Sequence, residues 1–362
     1  SLYCRLSTSK LYIMSLGKKL INISGAAPAP VGTDHFAPVL YTGNGSTQTI
    51  TGLNFQPDMV WLKSRTASFP PYITDSVRGT GNVIRTSESD AQSSGDGVSS
   101  FDSNGFKVSG GGSNQNNGSY VAWAWKASTS FSHSGSGTLL ASSGKSNQDS
   151  GFSIVKFDYP SGNSSTVRTV KHNLSTAPTL ILYKPYIMTA SGNSNWFVYH
   201  NSMGAGKEMY LNLNLQEQSD SNRWNNTAPT GGANGVVTLG TSFSQYADNF
   251  YGGTTIMYCF HDVAGYQKVG SYSGNQSLNT ANQINFGFTP RFVLIKNTTN
   301  TNSQWMLFDS VRTNGMALYA NQVSTESDYT TDLLLSSQGL EFKSTNINVN
   351  QSGATYIYLA IA

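Results

Sequence analysis

Three stretches of the chain share one pattern of apolar and polar positions. A proline is followed six residues later by a lysine, with an apolar run between, in Pro57-Asp58-Met59-Val60-Trp61-Leu62-Lys63, in Pro178-Thr179-Leu180-Ile181-Leu182-Tyr183-Lys184 and in Pro290-Arg291-Phe292-Val293-Leu294-Ile295-Lys296. Such a run predicts a largely buried strand, because Pro is tolerated at the first strand position, where no ladder donor is needed. Other landmarks recur in the same order. Tyr41-Thr42-Gly43-Asn44, Tyr159-Pro160-Ser161-Gly162-Asn163 and Tyr272-Ser273-Gly274-Asn275 read as turns ahead of each run. After it come Asp75-Ser76-Val77-Arg78 and Asp309-Ser310-Val311-Arg312, with Asn201-Ser202-Met203-Gly204 at the equivalent place. Asn104-Gly105 and Gln338-Gly339 then read as hairpin turns between apolar flanks. Each copy closes on an aromatic strand, Tyr120 to Trp125, Thr255 to Phe260 and Tyr356 to Ile361.

Repetition of this kind decides the architecture before any single element does. It predicts an all-β fold of three tandem β-sandwich-like domains with an extended N-terminal arm. The expected boundaries are 1–35 for the arm, 36–127, 150–263 and 266–362 for the three repeats, and 128–149 for a Ser/Gly linker of flexible composition. Val263-Ala264-Gly265 leaves almost no spacer, so the second and third repeats are expected to dock rigidly. The length agrees, since 362 residues exceed twice the roughly 150 at which one domain is the default, and a single core is not expected. Only 11% of residues are charged, and the place of Glu and Lys is taken by Ser, Thr, Asn and 36 Gly, a composition that favours pleated strands over helices.

Charge and cysteine usage narrow the function classes. With 22 Lys+Arg against 19 Asp+Glu the net charge is +3, and no basic cluster offers a footprint for a nucleic-acid backbone. Cys4 and Cys259 form neither a disulfide framework nor a zinc spacing, and Cys259, inside an apolar run, reads as a small core residue. No stretch reaches the length of a membrane span, and no secretory apolar region opens the chain. Met14 looks like a natural beginning, with residues 1–13 as an upstream extension or a processing remnant. The tract Gly25-Ala26-Ala27-Pro28-Ala29-Pro30-Val31-Gly32 suits neither helix nor sheet interior, so the arm is expected to be tied to a neighbouring subunit or a larger assembly.

Candidate chemistry is sparse. Asp75/Arg78 and Asp309/Arg312 place a carboxylate near a guanidinium, but an Asp at a turn start ordinarily caps its own backbone. Lys63, Lys184 and Lys296 are expected to run their stems along the sheet rim. Glycosidase chemistry needs two facing carboxyls, and none of Glu88, Glu208, Glu217, Glu326 or Glu341 recurs at an equivalent position. The histidines, His35, His133, His172, His200 and His261, lack any metal-ligand spacing, so neither a metal nor a cofactor is expected. Of the tryptophans, Trp61, Trp123 and Trp125 fall on strand faces suited to a core. Trp224, in the polar stretch Asp220-Ser221-Asn222-Arg223-Trp224-Asn225-Asn226, reads instead as a loop aromatic able to stack on a sugar, with Arg223 and Asn225 beside it.

The opening Met14-Ser15-Leu16-Gly17-Lys18-Lys19-Leu20-Ile21, followed by the Ala/Pro-rich tract, resembles the N-terminus of virion structural proteins of tailed bacteriophages, marine ones in particular. The first repeat, from Phe55-Gln56-Pro57 through Asp75-Ser76-Val77-Arg78-Gly79 and Phe101-Asp102-Ser103-Asn104-Gly105-Phe106 to Tyr120-Val121-Ala122-Trp123-Ala124-Trp125-Lys126, is similar to a module repeated in phage tail-fibre and surface proteins. The third repeat follows it and the second departs at Asn201 to Gly204. The resemblance implies a non-enzymatic structural protein on the surface of an extracellular particle, a tail fibre or adhesin whose β-domains face the host. Leu16, Lys18, Lys19, Leu20 and Ile21 would anchor it to other virion subunits. The implied partners are those subunits, further copies of the chain in a homo-oligomer such as a trimer, and a bacterial surface glycan or protein. A capsid decoration or cementing protein is the first alternative and a glycan depolymerase the second.

Overall fold

A computed structural model of the chain describes residues 34–160, 166–188, 194–241, 253–281 and 283–362. The expected anchor residues Leu16, Lys18, Lys19, Leu20 and Ile21 lie outside them. The described residues are all-β, and their sheets, antiparallel except where Leu139–Leu140 pairs parallel with Arg168–Lys171, repeat three times. In the first unit six strands run in the order Phe36–Thr42, Ser119–Trp125, Met59–Ser64, Tyr72–Asp75, Asn82–Arg85 and Ser93–Ser94. The third unit reproduces that order with Gln267–Ser273, Thr355–Ile361, Phe292–Asn297, Met306–Asp309, Met316–Tyr319 and Ser327–Asp328. The second has the same six positions, with Phe152–Tyr159, Gly253–Phe260 and Leu180–Met188 at its centre, and gains two further strands at one edge. A three-stranded sheet covers one face of each large sheet.

Strand alternation explains why these runs are apolar throughout. Successive side chains point to opposite faces, and here both faces are covered. In the closing strand of the first unit, Tyr120, Ala122 and Ala124 pack into that unit's own sandwich, while Val121, Trp123 and Trp125 point the other way. Ile256, Tyr258 and Phe260 of the second unit and Ile357, Leu359 and Ile361 of the third meet them there. Each unit therefore keeps a core of its own, and the three large sheets enclose a fourth in common. The one-core arrangement that length argued against is thus partly present, because the units are short enough to turn one whole sheet face inward.

The units close into a ring. Gln92 N of the first unit donates to Tyr186 O of the second at 3.0 Å, Glu217 N of the second to Thr298 O of the third at 2.9 Å, and Glu326 N of the third to Arg65 O of the first at 2.9 Å. These three bonds are equivalent by position, so the single chain has the pseudo-threefold arrangement of a closed trimer. All three units begin and end at the same pole, where Phe36, Trp125, Phe152, Phe260 and Phe292 pack together. The ring bonds and the lysine ends of the central strands lie at the other pole.

Two expectations need correction. The Ser/Gly stretch 128–149 is not a flexible linker, since it carries Thr129–His133, Leu139–Leu140 and Ser142–Asn147. The first and last of these add to the edge of the second unit's large sheet, beside Phe152–Tyr159. Lys145 also reaches back to Asp58 of the first unit at 2.6 Å. The backbone ladder, indifferent to small polar side chains, holds this segment where composition suggested a tether. The second concerns Gly105 and Gly339, which do not occupy hairpin turns. Asp102 pairs with Gly105 and Ser336 with Gly339, so the turn residues are the two between. A Cβ on these glycines would lie 2.0 Å from Ile50 O and 1.8 Å from Ile284 O, so close strand approach requires them.

Candidate functional site

The repeated Asp-Ser-Val-Arg motif sits at the seams between units. Asp75 Oδ1 accepts the backbone N–H of Val77 at 3.0 Å and of Arg78 at 2.9 Å, which is the expected turn cap, while Arg78 Nε donates to Oδ2 at 2.6 Å. Asp309 repeats the arrangement, with Arg312 Nε at 2.7 Å. Both ion pairs are wholly buried. What the sequence did not reveal is the partner from the next unit: the Tyr258 hydroxyl donates to Asp75 at 2.7 Å and Trp123 Nε1 to Asp309 at 3.0 Å. Burial pushes the Tyr258 hydroxyl far above its ordinary range, with the Asp75 charge adding to it, so it stays a donor.

The third seam breaks the pattern. Leu180 pairs with His200 as Met59 pairs with Asp75, so His200, rather than Asn201, stands at the Asp position and Met203 at the Arg position. On the facing strand Leu359 occupies the place of Trp123 and Tyr258. Burial pulls the His200 imidazole down to about 4, against nearby backbone carbonyls of Tyr358 and Gly270, and it is neutral there.

The three lysines are not at a rim. Lys63, Lys184 and Lys296 are fully buried. Lys63 Nζ donates to Phe69 O at 2.6 Å and, across a seam, to Val323 O of the third unit at 2.8 Å. Lys184 likewise bonds Ser194 O in its own unit and Ser89 O of the first. Lys296 stays within its unit, on Ser303 and Asn297. Burial lowers Lys63 and Lys296 to about 7 each. These amines tie loops together at the ring pole.

The glycan contact read from Trp224 and Arg223 is overturned. Trp224 is 0% exposed, edge-on to Tyr183 and Tyr199 within the second unit's own core. Arg223 is buried beside it, bonded to Glu208 at 2.5 Å and stacked over Phe197 at 4.0 Å. Asn225 remains at the surface. The polar flanks that suggested a loop tip are turn residues at the point where the chain folds back over its own core. Among the described residues no aromatic side chain is exposed.

The glutamates are equally committed. Glu88, Glu208, Glu217, Glu326 and Glu341 each pair with Arg or Lys. Cys259 is a buried free thiol in the second unit's core, as expected, and burial drives its pKa up. No group of side chains suited to a metal occurs among the described residues.

A cleft of about 180 Å³ lies on the second unit, lined by His133, Gln148, Lys171, Asn173, Ser175 and Gly232 among others. Two of these come from the 128–149 segment that the other units lack. Gln148 Nε2 donates to Asn173 O at 2.6 Å and its Oε1 accepts Ser175 N at 2.8 Å, while His133 Nε2 meets Asn173 Oδ1 at 3.2 Å. Lys171 Nζ lies 3.3 Å from both Ala233 O and Asn234 Oδ1. Behind the cleft His172 is held neutral, lowered to about 4 by burial and by proximity to His261 and His133. Sequence spacing could not show this grouping, because residues 133, 172 and 261 meet only through the sheet.

Fold and seams thus define a closed, pseudo-threefold all-β protein. Residues 31–362 match the family described as a domain of unknown function (DUF7483), and the chain belongs to that family. No curated protein matches it.

Proposed function

We propose that the chain is a non-enzymatic structural protein of a tailed-phage virion, of the tail-fibre or adhesin type, held by its N-terminal segment and presenting the three-unit head to the host surface. The observation that carries this reading is the polarity of the head. The chain enters at His35 and Phe36, at the pole where all three units start and finish, and the seam loops lie at the opposite pole. A body attached at one pole is free to offer the other. The central strands of each unit are covered on both faces, which suits a protein that works outside a cell.

A decoration or cementing role is the second reading, and one observation favours it: with Trp224 buried, no exposed aromatic remains among the described residues for stacking on a sugar. Against a depolymerase stand the glutamates, all held in ion pairs, and the 180 Å³ cleft of the second unit, whose lining holds no carboxylate. Cryo-electron microscopy of the intact particle separates the first two readings. Density projecting from the tail with the ring pole outermost is the expected result, and density lying flat on the capsid lattice would overturn attachment.

A further inference from the structure

The cleft on the second unit is the place where pseudo-threefold symmetry is broken by added structure. Its walls fix one another: Asn173 sits in the left-handed region at φ 59 and its amide donates to Ser146 Oγ at 2.9 Å, while Gln148 bridges Asn173 and Ser175. Preformed polar walls of this kind place few but well-directed groups around a ligand.

The charge is one-sided. Lys171 stands over the mouth without a carboxylate partner among the described residues, and no carboxylate lines the cleft. An ammonium above a concave polar surface draws an anion, and a charge-assisted hydrogen bond is about twice as strong as a neutral one. The amides of Gln148 and Asn173 and the hydroxyl of Ser175 offer donors and acceptors together, which matches ring hydroxyls and exceeds what an inorganic anion can use. The cleft has room for one ring, and none of its lining residues among those described is a Phe, Tyr or Trp that could hold a neutral sugar by stacking.

We propose that this cleft binds a sugar residue carrying a carboxylate, such as a uronic or nonulosonic acid, with Lys171 on the carboxylate and Gln148, Asn173 and Ser175 on the hydroxyls. This rests on the host-attachment reading and names the chemistry that the surface would recognise.

The test is saturation-transfer NMR on the full chain with D-glucuronate, D-galacturonate and N-acetylneuraminate, set against D-glucose and inorganic phosphate. At least one acidic sugar is expected to bind saturably and at least fivefold more tightly than glucose or phosphate, with the difference shrinking in 1 M salt. Lys171→Ala should weaken it at least fivefold with an unchanged circular dichroism spectrum, and Lys207→Ala should not. Equal binding of glucose, equal binding of phosphate, indifference to Lys171→Ala, or no binding of any acidic sugar would each overturn the proposal. The particle density is a separate result: binding together with a flat capsid position keeps the cleft and removes attachment, and a projecting position without binding does the reverse.

Discussion

The Tyr258 hydroxyl and the Arg78 guanidinium hold the same oxygen of Asp75, at 2.7 and 2.6 Å, one from the neighbouring unit and one from its own. A carboxylate taken wholly out of water depends on both. Tyr258→Phe removes one neutral donor and is expected to cost about 1–3 kcal/mol. Arg78→Met strands a buried charge and should cost about 3–5 kcal/mol. Urea unfolding at pH 7 measures both, and equal effects would contradict this division of roles.

The third seam provides the converse experiment. His200→Asp alone installs a carboxylate with no cation, because Met203 stands where Arg78 and Arg312 do, and about 3–5 kcal/mol of stability should be lost. Adding Met203→Arg should recover most of it. Additive losses in the double variant, read as denaturation midpoints, would show that the seams are not equivalent in chemistry.

Stability should climb with pH in two windows. His172 and His200 are lowered from 6.5 to about 4, so between those values the unfolded chain takes up protons that the folded chain refuses, and stability falls as pH drops through the window. Lys63 and Lys296 are lowered from 10.5 to about 7, so the folded chain is again the one lacking the proton, and stability rises from pH 7 toward 10.5. Each group can contribute up to about 1.4 kcal/mol per pH unit. Lys63→Met should flatten the upper window and His200→Gln the lower, whatever either does to absolute stability, and an unaltered slope in urea titrations would refute the assignment.

Trp224→Ala should behave as a core truncation and cost about 3–5 kcal/mol. Asn225→Gly, at a surface position with φ 50, should stay within about 0.5 kcal/mol. Thermal melts of the two variants decide the matter: a stable Trp224→Ala protein would return that side chain to the list of surface contacts.

Much of the fold was legible because it rests on local pattern. The Pro-to-Lys runs became the central strands Met59–Ser64, Leu180–Met188 and Phe292–Asn297. Their apolar continuity, rather than alternation, already signalled cover on both faces, although what covered the second face lay in other repeats. The lysines and the Asp/Arg pairs were noticed as repeats, but their partners Val323, Ser89, Tyr258 and Trp123 are remote in sequence and belong to other units. Trp224 misled for the reason that makes polar flanks unreliable: Arg223 is neutralised by Glu208 and the two enter the core as a pair. The cleft was hidden because its cation, amides and histidine come from segments whose meeting depends on the 128–149 strands.

His35 and Ala362 both touch Tyr266, the first by an edge-on ring contact at 6.0 Å and the second by a backbone hydrogen bond at 2.8 Å. The ring that the three units form is thus indifferent to where the polypeptide is interrupted. A short bridge from residue 362 to residue 35, with a cut at Val263 to Gly265, would carry the units in a new sequential order through the same closed arrangement, so this head is a natural subject for circular permutation.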